Sequence, residues 1–333
     1  MRANIFVLVL VVAALARASS SEACSVFTAH DDTSAFAGNN EDYYGNLPTI
    51  IWFVPSDEGK YGYVAYGYEQ DHFSQGGMND QGLFWDGLAV PGLEVTGEVG
   101  TEPFTLTTLE EVMQVAATVD EAIAALREYD FASIMEYATF LFADKYGNAA
   151  IFEGDLVTEP AVDKHYLIAT NFRPSNPELG NYPCWRYDLL TEMMEDGFEL
   201  SFDDFAAMAD AVHQGVVSYD GIYTRYTTVA DLVNGVFYLY YDLDYSSPIV
   251  FDLDEELSQE AHEYNMYDLF YGDLDTDTDS DSDSDSDAGD DVPDGGADAG
   301  ADDGDDGDCG CSAVGATDRP TATLLWLLAA LAD

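Results

Sequence analysis

Between residues 24 and 272 the apolar positions alternate, change to helical spacing, and alternate again. Two short alternating runs, CSVFTAH and SAFAGNNED, flank DDT and predict a β-hairpin. Thr49–Pro55, Tyr61–Gln70 and Gly82–Val90 are rich in aromatic and β-branched residues and predict further strands. The period then becomes helical, with Leu109, Val112, Met113, Val115, Ala116, Ala122, Ile123 and Leu126 on apolar faces. Two helices are expected there, the second capped by Thr118 or Asp120. TFLFADKYGNAAIFEGD predicts a hairpin turning at KYGN, and HYLIATNF a strand. CWRYDLLTEMMEDG and SFDDFAAMADAVHQG follow as helices, the latter capped by Ser201 with Asp204 in its first turn. A hairpin across Asn234–Gly235 and one more strand close the body. Strands, helices, strands, helices and strands in this order predict an α+β body, two sheets packed face to face and covered by helices.

The ends of the chain do not follow these patterns. Arg2 opens a short positive region, Ile5 to Ala16 is an apolar run too short to span a bilayer, and Ser21 and Ala23 are small residues just ahead of Cys24. Residues 1–23 therefore read as a secretory signal peptide, and the protein as secreted or attached to the cell surface. An uncleaved anchor is the alternative, disfavoured by the polar, small-residue stretch ARASSSEA. Residues 273–308 carry 17 Asp and no Lys, Arg or aromatic side chain. Such a segment buries too little apolar area to offset its ordering entropy and reads as a solvated, self-repelling linker. Calcium binding by the alternating Asp is the minority reading, because the Gly and closing Glu of an EF-hand loop are missing. Residues 309–333, with Cys309, Cys311 and the apolar run Leu324 to Ala332, resemble the C-terminal sorting tails of myxobacterial surface proteins. The basic cluster of such tails is absent, so plain secretion stays open beside envelope attachment.

The formal charge is −55, and the linker accounts for less than a third of it. The body is itself acidic, with Lys60, Lys145 and Lys164 as the lysines of the whole chain. Nucleic acid and anionic membrane are poor partners for such a surface, because phosphate binding draws on Lys and Arg. Four cysteines, Cys24, Cys184, Cys309 and Cys311, do not make a disulfide scaffold at 333 residues. No glycine-rich phosphate loop, metal-binding Cys or His spacing or internal repeat occurs.

Cys24 carries the candidate chemistry, and three readings compete. It is a lipoprotein cysteine, although Ser21 stands where Leu is usual; or it pairs with Cys184; or it is an N-terminal nucleophile. In the last case one residue holds both a thiol and an α-amine whose ordinary pKa of about 7.7–8.0 suits proton transfer near neutrality.

The motifs CSVF at Cys24, GNNED at Gly38–Asp42, GGMNDQGL at Gly76–Leu83, ATNF at Ala169–Phe172 and WRY at Trp185–Tyr187 resemble, in this order, those of N-terminal-nucleophile hydrolases. The branch resembled is the choloylglycine hydrolase and penicillin V acylase group of linear amide C–N hydrolases. The resemblance implies a four-layer αββα sandwich and an exported cysteine amidohydrolase that needs no cofactor and no metal. It implies Cys24 as nucleophile, Asp42 as the carboxylate that orients its thiol or α-ammonium, Asn171 near the oxyanion, and Arg186 stabilising charge near the Cys–Asp pair. Asn39 stands where many relatives have Arg, and Ala89 where a second oxyanion side chain is usual. A small-molecule acyl amide is the partner implied, beside the cell envelope through the tail; assembly into a homo-oligomer is left open. The residues by themselves allow plainer roles: Asp42 in a hairpin turn, Asn171 bonding backbone, and Arg186 on a helix surface beside Asp188. The rival to the enzyme is a non-catalytic acidic surface protein with the same fold, and an acyltransferase would share the acyl-enzyme.

Overall fold

The computed structural model describes residues 24–45, 47–180, 182–197, 200–215 and 221–272. The expected signal peptide at 1–23, linker at 273–308 and sorting tail at 309–333 lie outside the described residues.

The first sheet elements are β1 (Ser25–His30), β2 (Ala35–Tyr44), β3 (Thr49–Val54), β4 (Tyr63–Tyr68), β5 (Phe73–Asn79) and β6 (Leu83–Ala89). Helices α1 (Thr108–Met113) and α2 (Val119–Leu126) follow, flanked by the two-residue strands β7 (Glu102–Pro103) and β8 (Tyr129–Asp130). The chain returns to strands with β9 (Ala138–Asp144), β10 (Ala149–Glu153), β11 (Leu156–Thr158), β12 (Tyr166–Ala169), β13 (Phe172–Arg173) and β14 (Asn176–Gly180). After α3 (Trp185–Glu195) and α4 (Phe202–Ala211) come β15 (Ile222–Asp231), β16 (Val236–Tyr241) and β17 (Asp244–Asp252). A short α5 (Leu253–Glu256), β18 (His262–Asn265) and α6 (Met266–Tyr271) complete the described chain.

Local chemistry accounts for the boundaries. Thr118 caps α2 by accepting from the Glu121 N–H, and Ser201 caps α4 by accepting from the Asp204 N–H. Each bond satisfies a donor that the first helical turn leaves open and is worth about 1 kcal/mol. Gly147 at the β9–β10 turn and Gly235 at the β15–β16 turn hold positive φ, at 87° and 68°, as tight hairpins require.

Two large antiparallel sheets result. One runs β12-β1-β2-β15-β16-β17, the other β11-β10-β9-β6-β5-β4-β3-β18. Alternation along the strands gives each sheet two buried faces. Val26, Ala37, Tyr226 and Leu239 of the first sheet meet Ile51, Val64, Phe84 and Leu141 of the second in one shared core. The far face of the eight-stranded sheet, with Trp85, Phe140 and Phe142, packs on Leu109, Val112, Ile123 and Leu126 of α1 and α2. The far face of the six-stranded sheet, with Phe27, Phe36 and Val229, packs on Leu190 of α3 and Phe205 and Met208 of α4. The α+β expectation therefore holds. Strand β5 is not among the strands the sequence predicts, because its Gly76, Gly77 and Asn79 are weak strand formers. Its backbone runs close under the neighbouring strands: a Cβ on Gly76 would strike the Tyr66 hydroxyl and the Asp86 carboxylate. Packing, not propensity, makes β5 a strand.

Candidate active site

Ser25 pairs with Asn40 in the β1–β2 ladder, so one step further along Cys24 stands beside Glu41 at the open end of the hairpin. The period of two then sorts the side chains. Cys24 shares the inter-sheet core with Ala35 and Ala37, which places Glu41 on that same face. Asp42 lies on the helix face with Phe36 and Asn40, where Asn40 Nδ2 donates to the Ala209 carbonyl of α4.

The Cys24 thiol is free and buried. A Cys24–Cys184 disulfide, one of the three readings of this cysteine, is therefore not formed. Sγ lies 3.5 Å from Glu41 Oε2 and 4.0 Å from the Asp42 carbonyl oxygen. Burial pushes the thiol well above its usual range, and the carboxylates of Glu41 and Asp42 push it further.

Asp42 is fully buried in β2, not in a hairpin turn. Gln214 Nε2 donates to its Oδ2 at 2.6 Å, and the Thr224 hydroxyl donates to its Oδ1. Burial raises the Asp42 carboxyl to about 6, against the downward pull of Arg186, Thr224 and Gln214. The carboxylate thus reaches the Cys24 neighbourhood from the helix side, while Glu41 reaches the sulfur itself.

Arg186, in the first turn of α3, joins the residues. Its Nη1 donates to the Cys24 carbonyl at 2.6 Å and to Ser25 Oγ at 2.8 Å, and stands 3.7 Å from Asp42 Oδ2. Its Nη2 donates to Asn171 Oδ1 at 3.0 Å. The side chain is fully buried, so the surface pairing with Asp188 does not occur. Burial lowers the guanidinium from its ordinary range, and Asp42 opposes that. Asn171 stands between β12 and β13, just before Phe172; its Nδ2 donates to the Ala89 carbonyl at 2.8 Å, which leaves the second amide hydrogen for another acceptor. The backbone-bonding role considered for Asn171 is real, and it also orients the amide. Ala89 takes part through its carbonyl.

All four residues singled out in the sequence come together around the end of β1. Three others were not singled out: Glu41, Gln214 and Thr224. The signal for Glu41 was available, because strand alternation puts the neighbour of Asp42, not Asp42, on the thiol's face. Gln214 and Thr224 lie 172 and 182 residues from Asp42 in the chain, and no local pattern links them.

Beside the thiol opens a pocket whose empty space, counted out into open solvent, is about 790 Å³. Cys24, Glu41 and Asp42 share its lining with the apolar side chains of Trp85, Phe104, Leu106, Leu109, Ile134 and Phe140. Glu41 Oε1 accepts from the Tyr68 hydroxyl at 2.6 Å. Among the described residues no group of three or more His, Cys, Asp or Glu is arranged to hold a metal ion.

No family model matches the chain, and no curated protein does. Solved structures do. Penicillin V acylase from Agrobacterium tumefaciens superposes with a TM-score of 0.57 at 15% identity, covering 73% of this chain and 91% of that one. Two variants of the conjugated bile acid hydrolase from Clostridium perfringens superpose with TM-scores of 0.55 and 0.54, each at 16% identity. They cover 73% and 72% of this chain and 97% and 96% of theirs. The chain shares the fold of these proteins, at identities too low to carry anything further.

Proposed function

From a fold shared with amide hydrolases, we propose that this protein is a cysteine amidohydrolase of the N-terminal-nucleophile type, cleaving linear amides through an acyl-enzyme on Cys24. The observation that carries this is the placement of a free thiol at the start of β1, in the lining of a largely apolar pocket, with Arg186 joining its carbonyl to Asn171. The three cores support the finer reading of the architecture, a four-layer αββα sandwich.

The thiol in the unprocessed chain is held neutral by burial and by two carboxylates. Removal of residues 1–23 on export would create an α-ammonium at this point. That cation offsets the carboxylates and lowers the thiol, and as the neutral amine it takes the thiol proton. Asp42, held by Gln214 and Thr224, orients it from the helix side. Sulfur then bonds to the amide carbon, and the oxyanion is received by Asn171 Nδ2 and backbone N–H groups. Loss of one such donor costs about 3–4 kcal/mol of transition-state stabilisation. The C–N bond breaks as the α-ammonium protonates the leaving nitrogen. Water attacks the thioester, giving one proton to the α-amine, and the thiolate leaves to recover that proton as the carboxylic acid departs. The apolar body of the pocket suits a hydrophobic acyl group. The acidic linker and tail would carry the body to the cell surface.

The test pairs mass spectrometry with kinetics. The mature protein should begin at Cys24, and Cys24→Ala should abolish turnover of hydrophobic acyl amides in a panel with varied amines. A mature chain beginning elsewhere, or full turnover by Cys24→Ala, would remove the mechanism. A correctly processed chain inert to every amide, with Cys24 slow to alkylate, would favour the non-catalytic rival. Products formed only when an amine acceptor is supplied would favour acyl transfer.

A further inference from the structure

Resting on the amide-hydrolase reading, we propose that Arg173 is a positioning residue, which fixes the backbone that Asn171 grips and so aims the Asn171 amide at the oxyanion.

The chain has 10 Lys and Arg against 65 Asp and Glu, so a cation placed away from the surface asks for a reason. Arg173 and Arg186 are both wholly buried, and both stand next to Asn171. Arg186 holds the Asn171 side-chain oxygen at 3.0 Å. Arg173, two residues beyond Asn171, is outside the pocket lining. Its Nε donates to the Pro91 carbonyl at 2.8 Å and its Nη2 to the Met135 carbonyl at 2.5 Å. Burial lowers its guanidinium to about 10, against the pull of Glu153, so it remains a cation at neutral pH.

The spacing of the two grips is matched. Asn171 Nδ2 donates to the Ala89 carbonyl, and Arg173 Nε to the Pro91 carbonyl, two residues further on in each segment. Two residues of extended chain cover about 7 Å, so one stretch of backbone is held at two separated points. A carbonyl held at one point can turn about that bond; a second hold keeps its direction. Through Nη2 the same guanidinium ties this stretch to residues 135–137, which meet it again where the Val90 N–H donates to the Tyr137 carbonyl and the Leu93 N–H to the Met135 carbonyl. The planar fork of Arg serves two carbonyls in fixed directions, which a single ammonium does not. Leu88, Ala89, Ile134, Tyr137 and Ala138 of these two segments line the pocket beside Cys24. The Ala89 carbonyl is thereby set, and with it the direction of the second Nδ2 hydrogen of Asn171, the one left for the substrate oxygen. An oxyanion donor stabilises developing charge to the extent that it is already aimed.

The test is a double-mutant cycle in the processed enzyme, with phenylbutanoyl ethanolamide as substrate. One arm is Asn171→Ala. The other is Arg173→Met made together with Glu153→Gln, so that no carboxylate is left buried without its counter-charge; Gln keeps an oxygen for the Ser175 N–H. Asn171→Ala should lower kcat by about a hundredfold or more, as loss of an oxyanion donor does. The Arg173 arm should lower kcat by about tenfold or more alone, and by less than about threefold once Asn171 is gone, because groups that act through one another are not additive. Glu153→Gln alone should stay within about threefold of wild type. Alkylation of Cys24 by iodoacetamide forms no oxyanion and should change by less than about threefold in every variant. By NMR, the Asn171 side-chain amide, identified by its loss in Asn171→Ala, should shift in the Arg173 arm and exchange with solvent about tenfold faster. Equal losses of kcat with and without Asn171, or alkylation that falls in step with kcat, would make Arg173 a support of the fold alone and overturn the inference while the hydrolase stands. An Asn171 amide that neither shifts nor exchanges faster overturns it as well. A wild type inert to the amide, with the Asn171 signal loosened in the Arg173 arm, would sink the hydrolase and leave the positioning standing.

Discussion

At the scale of single residues, Asp42 is poised to switch. Its carboxyl titrates at about 6, raised by burial from the ordinary carboxylate value. The sign follows. The folded state holds this proton more tightly than the unfolded chain, so the group favours folding in acid and loses that contribution as pH rises through about 6. The proposed chemistry needs the opposite form, the carboxylate that steadies the α-ammonium. The kcat/KM profile of the processed enzyme should therefore fall on its acid side as the α-amine takes up a proton, and fall by about another tenfold per pH unit below a second inflection set by Asp42. Gln214→Ala, which removes a donor to the carboxylate, should move that inflection upward. An acid limb unmoved by Gln214→Ala would assign it to another group. At this scale Cys24, Asp42, Asn171 and Arg186 were legible because each sits in a short recognisable motif. Glu41 was hidden by its neighbour, and Gln214 and Thr224 by distance along the chain.

At the scale of elements, helix caps and hairpin turns were legible because they are local bargains between side chain and backbone. Thr118, Ser201 and Asn234–Gly235 do what their chemistry dictates. Strand β5 was not legible, because its reason lies in its neighbours. Tyr66 Oη donates to Asp86 Oδ2 at 2.9 Å directly over Gly76. Gly76→Ala should therefore destabilise the fold by about 1–3 kcal/mol, as overpacking of a buried site does, read as a lower urea midpoint with unchanged slope. Wild-type stability in Gly76→Ala would mean that the Tyr66–Asp86 pair has room to move.

At the scale of the whole molecule, the layering follows from strands that are apolar on both faces. Alternation alone would have left one side of each sheet wet; here Phe27 and Val26, adjacent in β1, are each wholly buried, on opposite sides. The order of strands in the sheets was not legible, because β12-β1 and β2-β15 join segments far apart in the chain. The charge of −55 acts at this scale too. Self-repulsion on so acidic a chain is screened by salt, with a Debye length near 10 Å at about 0.1 M and near 3 Å at about 1 M. The midpoint of thermal unfolding should therefore rise with sodium chloride over that range. A midpoint that falls would show that favourable ion pairs, such as Lys164–Glu195, outweigh the repulsion.

The neighbouring acids of β2 look in opposite directions, one toward the sulfur and one toward the helices. A single residue inserted between this pair and the hairpin turn would exchange their duties: the longer acid would face Gln214 and Thr224, and the shorter would fall short of the thiol. Two inserted residues would return each acid to its own face but carry it about 7 Å along the strand, out of reach of its partners.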